Sequence, residues 1–417
     1  MSYAGVISEI QVSQHPNADR LQIGYCHGAR VVVGLETKSG DLGIFFPSDG
    51  QLSDEFMKAN DLYPRFDSEG NKLNTTYFDD KRRIRAQNLR QVKSEGYWVP
   101  LSYLSYTKYD LTKLKHGDQI TELNKIPICN KYYSQATLRA IESAKKTGIK
   151  IKEVKGFPEH SDTAQFRFAN IRVGDIVYIS NKLHGTSVRY GFVPVLQRLP
   201  LWKKLLNRVA KIFNEYEHEF VVGSRRVVLA TDSKGQLKGG YYGDGSPYAQ
   251  HINEVKGKIN HDEVIYGEIV GYLHTGTAMF VHDTSSIKEI KKQYGQRMVY
   301  SYGNPEGQSS FYVYRITQNG VELSWNQVVR RCKELGVNHV PNIDTLIFNG
   351  NRDKLNSLVE SYLEGPDMLD SRHIREGVCL RVECEEGTKI YKEKSFTFKV
   401  LEGIVKDSEV VDLEEIA

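Results

Sequence analysis

The chain has 417 residues, of which 40% are hydrophobic and 26% are charged, and its formal net charge is +4. This balance excludes an intrinsically disordered chain, which would carry fewer apolar residues and a larger net charge. No apolar run approaches the ~18 residues of a membrane-spanning helix, so no membrane partner is expected, and the length predicts two domains.

The first hundred or so residues contain short apolar runs separated by turn signals such as HPNAD and SDG. Four or five such strands predict a small all-β barrel over residues 1–120. The OB-fold is a common barrel of this kind and binds oligonucleotides, although an SH3-like barrel fits the same pattern.

A linker with one helix is predicted over residues 121–150, because residues 134–148 show helical spacing of apolar residues between a serine and a glycine, the usual caps. From residue 151 to residue 417, strand-like runs are mixed with capped amphipathic helices, such as residues 324–336. The mixture predicts an α+β domain rather than a Rossmann-type sheet, in which strands and helices alternate.

The five cysteines include no Cys-x-x-Cys pair, so a disulfide framework or a four-cysteine zinc site is not expected. The first residues, MSYAGVISEIQ, lack the basic and then apolar layout of a signal peptide. A cytoplasmic protein is therefore expected, or one of the host cytoplasm if the source is viral.

Residues 181–187 (NKLHGTS) place a lysine at the end of an apolar strand, directly before a glycine turn and two hydroxyl residues. If the strand is buried, Lys182 lies at the mouth of a pocket. Burial and neighbouring cations lower the pKa of a lysine from its usual ~10.4, which makes the amine a nucleophile. Gly185 would let the backbone approach a phosphate. Taken alone, the string is better explained as a strand end and a turn.

Six strings follow one another in the order of the motifs of the covalent nucleotidyltransferases, the superfamily of ATP-dependent DNA ligases, RNA ligases and mRNA capping enzymes, which they resemble. The resemblance implies that Lys182 in motif I (181–187) is the nucleophile that takes AMP, with His184 and Gly185 beside it as nucleotide contacts. It implies that three residues contact the nucleotide: Arg225 in motif Ia (223–226), Glu268 in motif III (265–271) at the ribose, and Tyr314 in motif IIIa (311–315) stacked on the purine. It further implies that Glu376 in motif IV (375–378) is a metal ligand and that Lys392 and Lys394 in motif V (391–395) face the α-phosphate.

Each string also has an ordinary structural explanation: Glu268 as a salt-bridged carboxylate, Tyr314 as a core aromatic, and Lys392 and Lys394 as solvated lysines on one face of a strand. Six strings in the required order favour the resemblance over coincidence. It implies ATP as the AMP donor and Mg²⁺ or Mn²⁺ as the metal, since a divalent ion prefers the hard oxygen ligand that Glu376 offers.

Only 23 residues follow Lys394 in the chain of 417, too few for the domain that follows motif V in DNA ligases and capping enzymes. With the β module at the N-terminus, the chain resembles the RNA ligase family with an N-terminal OB-fold, RNA ligase family 5. Residues 83–90 and 94–96 resemble that family's exit from the OB module, and residues 157–163 its approach to the ligase domain.

The resemblance to RNA ligase family 5 implies an OB-fold RNA-binding module followed by an α+β adenylyltransferase (ATP-grasp-like ligase) domain built on antiparallel sheets. It also implies a monomeric RNA ligase that joins 5′-phosphate and 3′-hydroxyl ends of RNA in RNA repair, through lysyl-AMP and an adenylylated RNA end.

Two other functions stay open. Residues 15–21 (HPNADRL) resemble a string of tRNA-binding OB modules, which suggests a non-catalytic RNA-binding protein on a degenerate ligase fold. An ATP-dependent DNA ligase is the other alternative. Residues 200–213 are interpreted as an inserted amphipathic helix, either packed on the surface or contacting RNA phosphates through its Lys203–Lys211 side.

Overall fold

The computed structural model describes residues 3–65, 67–69, 77–135, 137–139, 153–160, 163–197, 200, 213–231, 237–238 and 246–407. The chain divides into two compact units: unit 1 is residues 1–134, 164–169 and 394–408, and unit 2 is residues 135–163, 170–393 and 409–417. The predicted domain boundaries at residues 120 and 150 stay predictions. Most of the helix predicted over residues 134–148 and of the insertion 200–213 lies outside the described residues.

Unit 1 is built from short antiparallel strands. They are β1 (Gly5–Glu9), β2 (Gln11–Gln14), β3 (Leu21–Cys26), β4 (Ala29–Gly34), β5 (Leu42–Pro47), β6 (Gly50–Leu52), β7 (Gln87–Leu89), β8 (Val92–Ser94), β9 (Gly96–Pro100), β10 (Gln119–Ile120), β11 (Glu122–Leu123), β12 (Ile126–Pro127), β13 (Cys129–Lys131) and β14 (Ala164–Gln165). Two sheets have the orders β10-β1-β5-β9 and β2-β3-β4, and three strand pairs are β11-β12, β13-β6 and β7-β8. Among the described residues these strands do not close into a barrel.

The core of unit 1 follows from the apolar strands of the sequence. Ile7, Ile44 and Phe46 are fully buried on β1 and β5, and they pack with Phe56 of a short helix. That helix begins after Ser53, whose hydroxyl accepts a hydrogen bond from the Phe56 N–H at 3.0 Å, the usual way to satisfy a free N–H at a helix start.

The remaining strands are β15 (Ile176–Lys182), β16 (Thr186–Leu196), β17 (Tyr216–Ser224), β18 (Val228–Thr231), β19 (Leu237–Lys238), β20 (Glu263–Gly271), β21 (Val281–Asp283), β22 (Arg297–Val299), β23 (Ser309–Gln318), β24 (Val321–Glu322), β25 (Asn338–His339), β26 (Asn342–Ile347), β27 (Gly377–Cys384) and β28 (Gly387–Lys394). The large sheet has the order β19-β18-β17-β16-β20-β23-β24, and β25 adds to β23 in parallel. In the smaller sheet, β28, β27, β15 and β26 lie side by side. The predicted α+β class with mostly antiparallel sheets is confirmed.

The described helices are α1 (Asp54–Ala59), α2 (Pro247–Gln250), α3 (Ile252–Val255), α4 (Lys288–Tyr294), α5 (Trp325–Leu335), α6 (Arg352–Ser361) and α7 (Phe396–Asp407), with 3-10 turns at Leu101–Thr107, Leu111–Lys113 and Phe166–Phe168. The caps predicted for residues 324–336 are confirmed, because α5 starts in a capping box of Ser324 and Gln327 and ends at Gly336 in the left-handed region. None of the helices within the described residues has the length and apolar character needed to cross a membrane.

Candidate active site

One pocket of unit 2 is lined by residues of both the large sheet and the smaller sheet. Its space, including the part open to solvent, is about 990 Å³. The lining residues are His160, Thr163, Tyr178, Ser180, Asn181, Lys182, Leu183, Ser187, Arg225, Glu268, Tyr314, Trp325, Val340, Cys379, Arg381, Ile390 and Lys392. Five of the residues selected from the sequence therefore meet here, namely Lys182, Arg225, Glu268, Tyr314 and Lys392.

Strand geometry explains how Lys182 reaches the pocket. Successive side chains of a strand point to opposite faces, so Tyr178, Ser180 and Lys182 of β15 share one face, and all three line the pocket. Lys182 is the last residue of β15, and it is paired with Gly377 at the start of β27. This register brings Glu376, which directly precedes β27, beside the lysine.

Lys182 and Glu376 form an ion pair with 2.5 Å between Nζ and Oε1. The lysine side chain is 16% exposed, whereas the glutamate side chain is fully buried. His184 approaches the same carboxylate, with its Nδ1 4.0 Å from Oε2. The structure thus brings together Lys182, His184 and Glu376, although His184 and Glu376 are not themselves lining residues of the pocket in the described part of the chain.

Gly185 is required by packing. A Cβ atom at this position would lie 2.3 Å from the backbone oxygen of Ile269 and 2.9 Å from Cγ of Glu268, both on β20. The missing side chain lets the turn after Lys182 pack directly on the strand that carries Glu268. The sequence predicts that Gly185 lets the backbone come close to a phosphate, and that contact stays a prediction.

Glu268 and Tyr314 line the pocket from the large sheet. Ser187 is paired with Glu268 across β16 and β20, and its hydroxyl donates to Oε2 of Glu268 at 2.9 Å. Burial, reinforced by the negative charge of Glu268, raises the pKa of the Tyr314 phenol, so the ring is neutral and apolar at pH 7.

Arg315, which follows Tyr314 on β23, has structural partners. Its Nε donates to Glu322 at 2.8 Å, and its guanidinium lies 4.6 Å from the ring of Tyr266. These contacts account for the arginine without a role in ligand binding.

His160 is a pocket residue that the sequence reasoning did not select. Its ring centroid lies 5.4 Å from that of Tyr314, and its backbone N–H donates to the backbone carbonyl of Arg225 at 3.0 Å. Burial, followed by the positive charge of Arg225 and other cations, lowers the pKa of His160 to about 3. The imidazole is therefore neutral at pH 7 and shares the pocket with cations, as suits a polyanionic ligand. The available signal is the string 157–163, which in the sequence indicates only an approach to the second domain.

Arg189 links two chain segments next to the pocket, one at Ser224 and the other at Pro158. Its side chain donates to the carbonyls of Ser224 at 2.8 Å and of Pro158 at 2.6 Å. The guanidinium also lies 4.6 Å from the ring of Phe157. These bonds fix the backbone next to Arg225 and His160. Nothing in the sequence separates Arg189 from an ordinary strand residue.

Lys392 lines the pocket, whereas Lys394 belongs to unit 1 and is not among the lining residues in the described chain. Within unit 1, Nζ of Lys394 donates to both carboxylate oxygens of Glu402 on α7, at 2.9 and 3.0 Å. The role of Lys394 at the α-phosphate stays a prediction.

A family model described as RNA ligase matches residues 175–401, more than half of the chain. Solved structures of the Naegleria gruberi RNA ligase resemble it along nearly the whole length. A lysine-to-alanine variant with ATP and Mn has a TM-score of 0.57 at 16% identity, over 95% of this chain and 98% of that chain. The same ligase with PPi has a TM-score of 0.58 at 17% identity, over 95% and 98%. At these identities the similarity establishes the fold. A comparison with curated proteins finds no match.

Proposed function

The chain belongs to the RNA ligase family, and we propose that it is an ATP-dependent RNA ligase that joins 5′-phosphate and 3′-hydroxyl ends through a covalent lysyl-AMP intermediate. The observation that carries the proposal is the position of Lys182, a largely buried lysine beside a fully buried carboxylate at the wall of a cation-lined pocket. A buried amine next to an anion-binding pocket is the arrangement that nucleophilic attack on a phosphate requires.

In the first step, the ammonium of Lys182 releases a proton to solvent, and the neutral Nζ then attacks the α-phosphorus of ATP. A nitrogen–phosphorus bond forms, the bond from the α-phosphorus to the bridging oxygen breaks, pyrophosphate leaves with the bonding electrons, and the nitrogen loses a proton. Negative charge grows on the α-phosphate as the bond forms. Arg225 and Lys392 line the same pocket and supply positive charge there.

The nucleoside part of ATP fits the part of the pocket that Glu268 and Tyr314 line. The neutral ring of Tyr314 offers a stacking surface for the purine, and the carboxylate of Glu268 can accept hydrogen bonds from ribose hydroxyls. The hydrogen bond from Ser187 to Glu268 Oε2 fixes the orientation of that carboxylate. ATP would thus lie with its base on the large sheet and its α-phosphate at Lys182.

Glu376 fits the role of a ligand to a divalent ion that arrives with ATP. Within the described residues no group of three or more His, Cys, Asp or Glu side chains is arranged around a metal site. Mg²⁺ is nevertheless commonly held by one or two carboxylates together with substrate phosphates and waters, so one carboxylate suffices. When bound, Mg²⁺ or Mn²⁺ would add positive charge at the phosphates. Glu376 holds Lys182 in place before that ion enters.

In the later steps, AMP passes from Lys182 to the 5′-phosphate of RNA, and a 3′-hydroxyl then attacks that phosphate and expels AMP. Unit 1 is proposed as the RNA-binding module of the OB-fold type. Tyr25 on β3 is 43% exposed, and the guanidinium of Arg30, paired with it on β4, lies 5.7 Å from its ring. An exposed aromatic beside a cation is a common platform for a nucleic-acid base. We further propose a role in RNA repair, by a monomer in the cytoplasm or in the host cytoplasm of a virus.

The test is to incubate the full chain with ATP labelled at the α-phosphate and Mg²⁺ or Mn²⁺, and to look for a protein-bound label on a denaturing gel. We expect a labelled adduct in the wild type and none in Lys182→Ala. Lys389→Ala is the matched control, because Lys389 is an exposed lysine on β28 that pairs with Glu386 at 2.9 Å. A label that persists in Lys182→Ala would refute the assignment of the nucleophile.

The substrate is tested with nicked duplexes that differ only in having RNA or DNA at the 3′-hydroxyl side, and with single-stranded RNA. Preferential sealing of the RNA ends is expected. Equal sealing of DNA ends would favour the DNA ligase alternative, and RNA binding without an adduct would favour a non-catalytic RNA-binding protein.

A further inference from the structure

A buried polar network lies behind the nucleophile strand. Asn181 directly precedes Lys182 on β15, and its side-chain amide binds a buried carboxylate. Its Nδ2 donates to both carboxylate oxygens of Asp367, at 2.9 and 3.1 Å, and its backbone N–H donates to the carbonyl of Pro341 at 2.9 Å. The chain is therefore anchored directly before the nucleophile.

A second anchor lies just after the nucleophile. The backbone N–H of His184 donates to the phenol oxygen of Tyr302 at 2.6 Å. Burial, with the negative charges of Asp367 and Glu376 nearby, raises the pKa of Tyr302, so its hydroxyl is neutral and accepts this bond through a lone pair. Residues 182 and 183 are thus held between two buried hydrogen-bonded positions.

The turn that carries Tyr302 is bound by the carboxylate of Asp370. Asp370 accepts hydrogen bonds from the hydroxyl of Ser301, from the N–H of Gly303 at 3.0 Å and from Nε of Arg372 at 2.8 Å. Although burial opposes it, the hydrogen bonds from Arg372 and Ser301 hold the pKa of Asp370 well below its usual range. Asp370 is therefore charged at neutral pH and accepts these hydrogen bonds as a carboxylate.

The turn at Tyr302 and Gly303 lies in the left-handed region, with φ of 50° and 79°. A non-glycine residue adopts this conformation at some cost, so surrounding contacts must hold it. The bonds from Ser301 and Gly303 to Asp370 flank Tyr302 and supply that support, which leaves the tyrosine little freedom to move away from His184.

We propose that Tyr302 is a positioning residue for lysine adenylylation, which acts by fixing the backbone after Lys182 so that the amine is aimed at the α-phosphate. The inference rests on the proposed function. An error of ~1 Å in the position of a nucleophile can lower a rate by ~100-fold, so a rigid backbone on both sides of the lysine has a direct effect on the attack.

The test compares Tyr302→Phe with Tyr300→Phe in the full chain. Both substitutions remove one buried hydroxyl from the same segment and keep the ring. The Tyr300 hydroxyl pairs with Nδ1 of His282 at 3.1 Å, whereas the Tyr302 hydroxyl accepts from the backbone of the nucleophile turn. The pair therefore separates loss of that backbone bond from general loss of a buried phenol.

Two rates are measured for each variant: single-turnover formation of the lysyl-AMP adduct at saturating ATP and metal, and sealing of RNA that already carries AMP on its 5′-phosphate. We expect Tyr302→Phe to slow adduct formation about tenfold, equivalent to about 1.4 kcal/mol, with an unchanged KM for ATP. Sealing of adenylylated RNA should stay near the wild-type rate, because Lys182 makes no attack in that step. Tyr300→Phe should leave both rates unchanged.

Adduct formation at the wild-type rate in Tyr302→Phe would overturn the inference. Equal losses in adduct formation and in sealing of adenylylated RNA would also overturn it, because they indicate a general defect of the fold. The absence of an adduct in the wild type would instead count against the proposed function itself, so the two failures are distinguishable.

Discussion

The ion pair between Lys182 and Glu376 predicts an unequal response to the removal of either partner. Nζ and Oε1 are 2.5 Å apart, with the lysine 16% exposed and the glutamate fully buried. Breaking a buried pair by removing one partner costs about 3–5 kcal/mol, because the other charge stays buried. Lys182→Met leaves the fully buried carboxylate without the lysine charge and should lower the free energy of unfolding by the upper part of that range.

Glu376→Gln should cost less, about 1–3 kcal/mol, because a partly exposed lysine can turn toward solvent or lose its proton. The double variant Lys182→Met/Glu376→Gln removes both charges. Its loss should be smaller than the sum of the single losses by at least about 2 kcal/mol, since no uncompensated charge remains.

The assay is urea or guanidinium unfolding of the four proteins without ATP and without metal, analysed as a double-mutant cycle. The cycle measures the pair without any need for enzymatic activity. Additive losses, within about 0.5 kcal/mol, would refute the reasoning, because they would show that the two side chains do not interact in the free enzyme.

Three further predictions concern the walls of the pocket. Arg189→Lys should lower the free energy of unfolding by about 2 kcal/mol and weaken ATP binding, because lysine cannot reach the carbonyls of both Ser224 and Pro158; denaturant unfolding and nucleotide titration measure the two effects. Gly185→Ala should cost about 1–3 kcal/mol, because its Cβ would lie 2.3 Å from a backbone oxygen. For His160, whose pKa is lowered to about 3, stability should fall as pH drops below ~6.5, by about 2 kcal/mol at pH 5, and His160→Gln should remove this loss.

Each of the three has a clear contrary result. Wild-type ATP affinity in Arg189→Lys would show that the guanidinium does not shape the pocket. Unchanged stability in Gly185→Ala would mean that β20 can move away from the turn. For His160 the sign follows from the lowered pKa: between about pH 3 and ~6.5 the unfolded state binds the additional proton, so the unfolding free energy rises with pH there. An identical slope in His160→Gln would contradict this assignment.

The parts of the fold that depend on local patterns could be predicted from the sequence. The capped helix over residues 324–336 is an example, because a serine and a glycine at the ends of an amphipathic run satisfy the free groups of the helix termini. The antiparallel α+β class also follows from the irregular mixture of strands and helices. A small barrel is predicted at the N-terminus, whereas the strands that the structure describes there do not close into one. Barrel closure depends on the pairing of edge strands distant in sequence, which short apolar runs do not encode.

By itself the sequence determined the candidate residues and their order: a lysine at a strand end, a glycine turn, and five further strings that place Arg225, Glu268, Tyr314, Glu376 and Lys392 after it. Only the tertiary structure decided which of them meet, because contacts between residues nearly two hundred positions apart depend on strand register. The pairing of Lys182 with Gly377 puts Glu376 beside Lys182, and the neighbouring Asn181 binds Asp367. Arg189 and Tyr302 have no distinctive local pattern, and the string 157–163 around His160 indicates only an approach to the second domain. The importance of these three residues comes from where the folded chain places them.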